Sequence, residues 1–283
     1  MHKGELPAAD RELAVIADAF SRTAARYDAF AEDHPHLTRM RDKVYAHVLR
    51  SVPRGSSILE LNAGTGTDAV ELARRGYRVH ATDIAPGMLE RLRNKAAGID
   101  ADARPTAQEC SFLHLDQVTG GPYDAVFSDL GGLNCTDDLR PVVAGLEHLL
   151  RPGGVVVWVV MPPVCLWELA MAFTGRFGLA FRRLSRGGTR AHLEGRRFPV
   201  HYFTPGRVAR AFGPGYEVLA IEGLSVMTPT AESRNLARHH RTTYGALSWL
   251  DDRLAHRAPF SGWGDFFIIS VRRRAAPRPG GRP

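Results

Sequence analysis

The sequence contains few cysteines and lacks a segment of the kind that directs secretion. Its three cysteines, Cys110, Cys135 and Cys165, are too widely spaced for a disulfide framework or for a paired set of metal ligands. The first twenty residues have neither the basic start nor the apolar stretch of a signal peptide. We therefore expect a cytoplasmic protein with three reduced thiols.

The sequence also lacks an unbroken apolar run of the length that a membrane span requires. The run VVVWVVMPPVCLWELAMAF, residues 155–173, carries one charged residue, Glu168, but has Pro162 and Pro163 at its centre. Two consecutive prolines would break a helix and leave backbone groups without hydrogen bonds in lipid. The run therefore predicts a buried strand followed by a separate helix.

The formal net charge of the whole chain is +7, and acidic residues are scarce in two parts of it. The tail RRRAAPRPGGRP is rich in proline and glycine, and we expect residues 274–283 to be disordered. The segment RRLSRGGTRAHLEGRR, which ends at Arg197, contains one acid among its arginines. Such a segment is either a solvated surface or a landing site for an anionic substrate, and the sequence leaves both interpretations open. No recognition motif favours nucleic acid as a partner.

What the sequence does contain is a regular alternation of strand-like and helix-like segments from residue 57 onward. Apolar runs rich in branched residues predict buried strands, and the stretches between them predict helices. The strands are predicted at residues 57–61, 78–82, 123–128 and 154–160, and the helices at 68–75, 87–97 and 139–150. This alternation is typical of an α/β fold in which an open, doubly wound parallel sheet has helices on both faces.

The flanking segments show weaker patterns. Residues 11–49 have helical periodicity in two pieces, interrupted by AEDHPHL. After the arginine-rich segment, VHYFTPGRVARAFG predicts a short strand and then a helix that Thr204 and Pro205 open. A strand in YEVLAIEGLSV, a helical stretch over residues 231–256 and a last strand in GDFFIISVRR follow. The connections are too short to require a separately folding second domain.

The stretch ILELNAGTGTDAVELARRGYRVHATDIAPGML indicates a nucleotide-like site between the first two strands. Gly64, Gly66 and Ala69 fit the loose dinucleotide pattern, and Asp83 lies where a ribose-binding acid is expected. A glycine turn of this kind also occurs as mere chain geometry. The glycines alone are therefore a weak signal.

Two acids argue against a phosphate at this turn. Glu60 lies at the end of the first strand, and Asp68 opens the following helix, where an anionic ligand would otherwise be favoured. A cofactor with a positive sulfonium and an amino group, and with no phosphate, would tolerate both carboxylates.

The stretch resembles the first two motifs of a class I S-adenosylmethionine-dependent methyltransferase of the small-molecule type, similar to enzymes that methylate quinones and glycine. The match covers about residues 28–160, and GDFFIISVRR fits the last strand of that family. The resemblance implies a Rossmann-like doubly wound sheet, mostly parallel with an antiparallel last strand. The implied units are an N-terminal helical cap at 1–55, a cofactor-binding core at 56–161, an inserted substrate lid at 162–200 and a completion of the sheet at 201–273.

The resemblance also implies that S-adenosyl-L-methionine binds around the glycine turn. Tyr27 would close over the cofactor, and Asp83 would accept hydrogen bonds from both ribose hydroxyls. The residues around the methionine end and the ribose would be Glu60, Asn62, Gly64, Thr65 and Gly66. Those in contact with the adenine would be Ile84, Met88, Ser111 and Phe112. Those beneath the sulfonium and at the base of the substrate pocket would be Ser128, Asp129, Leu130 and Gly131. Asn62 replaces a glycine that is frequent in the family, but asparagine can adopt positive φ. Ser111 replaces the family's adenine-contacting aspartate.

Methyl transfer from a sulfonium is an in-line displacement, so the protein supplies proximity and orientation, and a base where the nucleophile needs one. Candidate bases lie in the cap, after the arginine-rich segment and in the late helical stretch. We assign the catalytic role to His34, His201 and Tyr244.

Two absences narrow the acceptor. No Asn or Asp, Pro, Pro, aromatic tetrad follows the fourth strand, as it does in enzymes that methylate the amino groups of nucleic-acid bases. Asn134, Asp137 and Asp138 lie on one short loop, so no metal is expected. We expect a partly apolar small molecule carrying an acid or a phosphate, as in natural-product, lipid or quinone pathways. An RNA or protein methyltransferase and a non-catalytic binding module remain alternatives, and a homodimer is compatible with the sequence.

Overall fold

A computed structural model describes residues 8–185, 187–231 and 234–275 of the chain. The strands are β1 (Ser57–Leu61), β2 (Arg78–Asp83), β3 (Thr106–Glu109), β4 (Tyr123–Ser128), β5 (Leu150–Val160), β6 (Thr189–Leu193), β7 (Arg196–Val200), β8 (Tyr216–Leu224) and β9 (Phe266–Arg273). Seven of them form one sheet in the order β3-β2-β1-β4-β5-β9-β8. β1 to β5 pair in parallel, and β9 runs antiparallel to both β5 and β8. The predicted sheet with its antiparallel last strand is therefore confirmed.

Helices cover both faces of this sheet. They are α1 (Ala8–Ala31), α2 (Pro35–Ser51), α3 (Thr67–Arg74), α4 (Pro86–Ala96), α5 (Arg140–Leu149), α6 (Leu166–Ala170), α7 (Phe177–Ala180), α8 (Pro205–Phe212), α9 (Arg234–His239) and α10 (Arg241–Leu254). Successive strand residues point to opposite faces, so Ile58 and Val157 pack against α2, α3 and α4, while Leu59 and Trp158 pack against α5 and α8. Burial on both faces explains why these strands are almost continuously apolar.

The cap consists of α1 and α2. Pro35 occupies the first turn of α2, and the imidazole of His34 caps that helix by accepting a hydrogen bond from the backbone N–H of Leu37 at 3.3 Å. α1 packs against α4 and against the β6–β7 hairpin. Its buried residues Ile16 and Ala19 contact the hairpin cluster, and the cap therefore lies beside the carboxyl ends of the parallel strands.

The lid, residues 162–200, contains α6, α7, two 3₁₀ turns and the antiparallel β6–β7 hairpin. The sequence pattern did not predict the hairpin, because its exposed positions carry arginines and its buried Phe198 packs against α1. Its two-residue turn, Glu194 and Gly195, has φ of 49° and 76°, as tight hairpins require. The guanidinium of Arg183 is buried and holds the lid to the sheet through Glu168 and Asp265, at 2.6 and 2.7 Å.

The structure corrects several sequence-based boundaries. The strand predicted in VHYF is wrong, because β7 ends at Val200 and the next four residues are irregular. The helix after it is confirmed: Thr204 caps α8 by accepting a hydrogen bond from the N–H of Arg207. The helical stretch 231–256 is divided at His240 into α9 and α10. Within the predicted tail, residues 276–283 lie outside the described part of the chain.

The long apolar run at 155–173 is divided as its prolines predict, because β5 ends at Val160 and α6 begins at Leu166. Among the described residues, none of the helices combines the length and the apolar character that crossing a membrane requires.

Candidate active site

The glycine loop joins β1 to α3 at the carboxyl edge of the sheet. Asn62, Gly64 and Gly66 all have positive φ, at 56°, 54° and 75°, so asparagine adopts the backbone conformation expected of it. At Gly66 a Cβ atom would lie 2.3 Å from Cγ of Leu92, which excludes any larger residue without a shift of α4. The Asn62 amide donates a hydrogen bond to the hydroxyl of Ser128 at 3.3 Å, which connects the loop to the end of β4.

Asp83 ends β2 and holds the glycine loop from the other side. One of its carboxylate oxygens accepts a hydrogen bond from the N–H of Gly64 and the other from the N–H of Ala85, both at 2.8 Å. Burial raises the pKa of this carboxyl group above its ordinary value, against the effect of these backbone donors. Asp83 thus presents a buried, oriented carboxylate at the carboxyl edge of the sheet, one strand away from the switch point between β1 and β4.

A first cavity of about 260 Å³ opens beside this loop. Nine of the thirteen predicted cofactor residues line it, namely Tyr27, Asn62, Gly64, Asp83, Ile84, Met88, Phe112, Asp129 and Leu130. The opposite wall was not predicted from the sequence; it is formed by Leu13, Ile16 and Phe20 of α1 and by Ala191, Phe198 and Val200 of the hairpin. The helical spacing of the α1 residues could have indicated their shared face, whereas the hairpin wall depends on tertiary packing.

The other four predicted cofactor residues, Glu60, Thr65, Gly66 and Ser111, do not line this cavity. Thr65 donates its hydroxyl hydrogen to Asp28 of α1, and Gly66 packs closely against α4. The hydroxyl of Ser111 accepts a hydrogen bond from the N–H of Leu113 at 3.1 Å, within its own loop. Their cofactor roles stay predictions.

A cluster of three buried carboxyl groups lies at the ends of β1 and β4 and at the start of α3. They are Glu60, Asp68 and Asp129, and the Nε atom of Arg41 lies 3.0 Å from Asp68 and 3.9 Å from Asp129. Burial, reinforced by the neighbouring Asp68, raises the pKa of Asp129 to about 8 and raises the pKa of Glu60 well above its usual range.

Two oxygens of this cluster, Glu60 Oε2 and Asp129 Oδ2, are buried and have no hydrogen-bond partner among the described residues. Unpaired buried carboxyl oxygens are costly unless a donor or a cation reaches them. Asp129 also lines the first cavity, so the cluster offers a positively charged ligand group a favourable position there. These carboxyl oxygens therefore fit a cofactor that carries positive charge and no phosphate.

A second cavity of about 550 Å³ lies beside the first and shares Tyr27, Leu130 and Met161 with it. Its remaining walls come from the lid, from α1 and α2 and from the start of β9. Apolar residues alternate there with four arginines, which are Arg41, Arg176, Arg182 and Arg183. The two cavities thus pair an acidic region with a basic one across a shared wall.

The three predicted catalytic residues lie outside both cavities. The ring of His34 caps α2 and lies 2.8 Å from the carbonyl oxygen of Ala231. The backbone of His201 is bonded to Asn134, and the hydroxyl of Tyr244 lies 2.7 Å from Nδ1 of His36. These contacts connect elements of the fold, and the structure does not bring the three groups together.

Two of the three loop residues considered for a metal are bonded to other groups of the protein. Asn134 bonds backbone groups of Met161 and His201, and Asp138 pairs with Arg140. Cys165, Glu168 and Asp265 form a separate group with metal-like spacing. Its two carboxylates are bonded to the guanidinium of Arg183, which occupies the position that a cation would take.

Comparison with known proteins points to one kind of enzyme. A family model described as a methyltransferase domain matches residues 58–154. The malonyl-[acyl-carrier protein] O-methyltransferase of Halorhodospira halophila is 30% identical over 229 residues, which are 74% of this chain and 72% of that protein. The demethylmenaquinone methyltransferase of Clavibacter sepedonicus is 39% identical over 120 residues, or 40% of this chain and 44% of that protein.

A solved structure shares the fold. It is the 1,6-didemethyltoxoflavin-N1-methyltransferase of Burkholderia thailandensis with bound 1,6-didemethyltoxoflavin and S-adenosylhomocysteine. The superposition has a TM-score of 0.56 and 16% sequence identity, and it covers 97% of this chain and 93% of the other.

Proposed function

This chain belongs to the class I S-adenosylmethionine-dependent methyltransferases, and we propose that it methylates an oxygen or nitrogen atom of a small, partly apolar molecule that carries an anionic group. The chain is an enzyme, and its cofactor is S-adenosyl-L-methionine. When bound, that cofactor supplies a methyl group on a positively charged sulfur, from which a nucleophile displaces it in line.

We assign the cofactor to the first cavity. Asp129 supports this assignment, because its buried Oδ2 has no hydrogen-bond partner among the described residues and the positive end of a bound cofactor would favour its ionised carboxylate. Asp83 would hold the ribose, since each carboxylate oxygen can accept a further hydrogen bond besides the one from the backbone. Ile84 and Met88 would form the apolar wall against the adenine.

We assign the acceptor to the second cavity, and one observation carries this proposal. Tyr27, Leu130 and Met161 line both cavities, so a molecule in the second cavity lies against the wall of the first. Direct contact across a shared wall is what an in-line displacement needs, because the reacting atoms must approach to about 3 Å. The apolar lining of the second cavity would exclude water and hold the body of the acceptor.

Arg176 would bind the anionic group of the acceptor. Arg182 and Arg183 are both bonded to Glu168, whereas the side chain of Arg176 forms no hydrogen bond or ion pair with any described residue. A free guanidinium in a cavity whose two acids are already bonded to other arginines favours a carboxylate or a phosphate, which it can bind with two parallel hydrogen bonds.

The lining of the second cavity favours a nucleophile that is ionised before it binds. Its acidic side chains, Glu168 and Asp265, are paired with arginines, and burial raises the pKa of Tyr27. A carboxylate oxygen needs no base at neutral pH. The similarity to an enzyme named for O-methylation of a malonyl group supports this choice.

The test is steady-state methylation of malonyl thioesters, other carboxylic acids and neutral phenols, measured as the release of S-adenosylhomocysteine. Arg176→Ala should raise the KM for a carboxylate acceptor about tenfold or more and leave kcat nearly unchanged, because a charge-assisted hydrogen bond is lost. Arg190→Ala, on the exposed side of β6, is the matched control and should change neither constant.

Two results would reject the anionic acceptor. The first is turnover of neutral phenols that exceeds the turnover of every carboxylate. The second is an unchanged KM for the best carboxylate in Arg176→Ala. Salt-dependent co-purification of RNA, together with methylation of that RNA, would instead favour a nucleic-acid methyltransferase.

A further inference from the structure

The outer surface of the lid carries an unusual concentration of exposed apolar side chains. Phe173, Phe177, Phe181 and Leu184 are 95%, 60%, 49% and 50% exposed. They are half of the eight large apolar side chains that are exposed in the described part of the chain, and they lie within twelve consecutive residues. Exposed apolar side chains concentrated in one part of a surface mark an interaction site.

The same lid carries most of the net positive charge of the protein. Residues 162–200 contain seven arginines and two glutamates, a formal net charge of +5 out of +7 for the whole chain. Both glutamates are already paired, Glu168 with two lid arginines and Glu194 with Arg26 of α1. The potential that the lid presents to its surroundings is therefore positive.

Three lid arginines are exposed and make no hydrogen bond or ion pair through their side chains with any described residue. They are Arg176 beside α7, Arg190 on β6 and Arg197 on β7. The hairpin is joined to the helical part of the lid because Arg183 stacks over the ring of Tyr202, whose hydroxyl is bonded to Thr189. The free charges and the apolar side chains thus belong to one connected unit.

The lid architecture holds the phenylalanines away from the core. α7 packs against both of the 3₁₀ turns that flank it, and Leu179 of α7 points into the second cavity. Arg183 is 4% exposed and ties this unit to Glu168 and Asp265. Because one side of α7 faces the cavity, the exposed phenylalanines of the lid have no described partner.

The charge identifies the partner that such a surface fits. A second copy of this chain docking through its own lid would bring +5 against +5, which opposes association. An anionic lipid surface satisfies both features, because its headgroups attract arginines while its acyl region accepts phenyl and leucyl side chains. We propose that the lid docks on the surface of an anionic lipid bilayer.

This docking would place the second cavity next to the membrane. Phe30, which is 50% exposed, lines that cavity together with Met171 and Leu179 of the lid, so its wall includes apolar groups accessible from outside. A lipophilic acceptor could then pass from the bilayer into the cavity without crossing water. The docking itself does not depend on which acceptor is methylated.

The experiment is flotation of the full chain with vesicles of equimolar phosphatidylcholine and phosphatidylglycerol, compared with vesicles of phosphatidylcholine alone. The wild-type protein should float with the anionic vesicles and remain largely unbound with the neutral ones. The double variant Phe173→Ser, Phe177→Ser should bind at least about tenfold more weakly, because burial of each phenyl ring is lost. Arg190→Glu with Arg197→Glu should weaken binding by about tenfold or more.

Leu49→Ser is the matched control, since Leu49 is 47% exposed near the end of α2, outside the lid. It should bind vesicles as the wild type does. Unchanged calorimetric affinity for S-adenosylhomocysteine in the Phe173→Ser, Phe177→Ser variant verifies that it is folded.

The proposal is overturned if the wild type does not float with anionic vesicles at low ionic strength. It is equally overturned if Leu49→Ser loses as much binding as the phenylalanine variant, or if binding depends on the arginines and is unaffected by the phenylalanines. Preferential binding to single-stranded RNA added in competition would assign the surface to nucleic acid instead.

Discussion

The cofactor-binding core and the lid bring charges of opposite sign to two adjacent cavities. In the core, the buried carboxyl groups of Asp68 and Asp129 share the guanidinium of Arg41. In the lid, arginines outnumber glutamates by seven to two. Tyr27 lies in the wall between the two regions. If the first cavity holds the cationic donor and the second an anionic acceptor, as proposed, the two neighbouring sites obtain their opposite charges from different elements of one fold.

The largest expected effect tests whether the lid depends on its buried ion pairs. Arg183→Ala should lower the free energy of unfolding by about 3–5 kcal/mol, because Glu168 and Asp265 would remain buried without their shared cation. Urea denaturation measures the change. Arg190→Ala, which removes an exposed arginine of the same lid, should stay within about 0.5 kcal/mol of the wild type. Equal stability of the two variants would show that the lid is held by something else.

A second change tests the acidic side of the comparison. Asp83→Ala should weaken binding of S-adenosylhomocysteine about a hundredfold, since hydrogen bonds to a charged group contribute about 3 kcal/mol at most. Calorimetry gives the affinity. Asp83→Asn keeps an oxygen acceptor for the N–H of Gly64 or Ala85 and should lose less. An unchanged affinity in the alanine variant would remove Asp83 from the cofactor site.

The carboxyl cluster predicts a dependence of stability on pH. Asp129 has a folded-state pKa of about 8, above its value of about 4 in an unfolded chain, so the folded state retains a proton that the unfolded state releases. Stability should therefore fall as pH rises from about 4 to about 8, by at most about 1.4 kcal/mol per pH unit for this proton. The raised pKa of Glu60 acts in the same direction.

The measurement compares urea midpoints of the wild type and Asp129→Asn, without cofactor, at about pH 6 and about pH 8. The substitution should flatten the pH dependence and stabilise the protein most at the higher pH. A difference between the two proteins that does not change with pH would contradict the raised pKa.

The smallest expected effect concerns the outside of the lid. Phe173→Ser should change the free energy of unfolding by less than about 0.5 kcal/mol, because the side chain is 95% exposed and packs against nothing in the core. Thermal or urea unfolding checks it. A loss of more than 1 kcal/mol, on the order seen for buried residues, would mean that this phenylalanine packs within the protein.

The core was far more predictable from sequence than the lid. β1 and β4 were predicted with the observed bounds, because strands buried on both faces are apolar throughout. The edge strand β3, with the sequence TAQE and no buried residue, was not located by the apolar pattern. In the lid, the hairpin strands TRAHL and RRFPV have one buried residue, Phe198, which packs against α1, a contact that a local pattern does not contain.

The candidate site residues also differ in how far the sequence could predict them. Residues of the glycine loop and Asp83 were found because backbone geometry and charge constrain their types. The side chains of His34 and Tyr244 contact Ala231 and His36, which are distant from them in sequence, and such contacts are not contained in a local pattern. The catalytic role of these residues therefore stays a prediction.

The position of β9 has a consequence for synthesis of the chain. β9 is the last strand in the sequence, yet it lies between β5 and β8 and pairs with both along its length. Until β9 leaves the ribosome, β5 has an open edge and β8 has no neighbour in the sheet. Translation must therefore pass Arg273 before the sheet can form completely. Nascent chains stalled earlier would expose unpaired strand edges through which they could associate with one another.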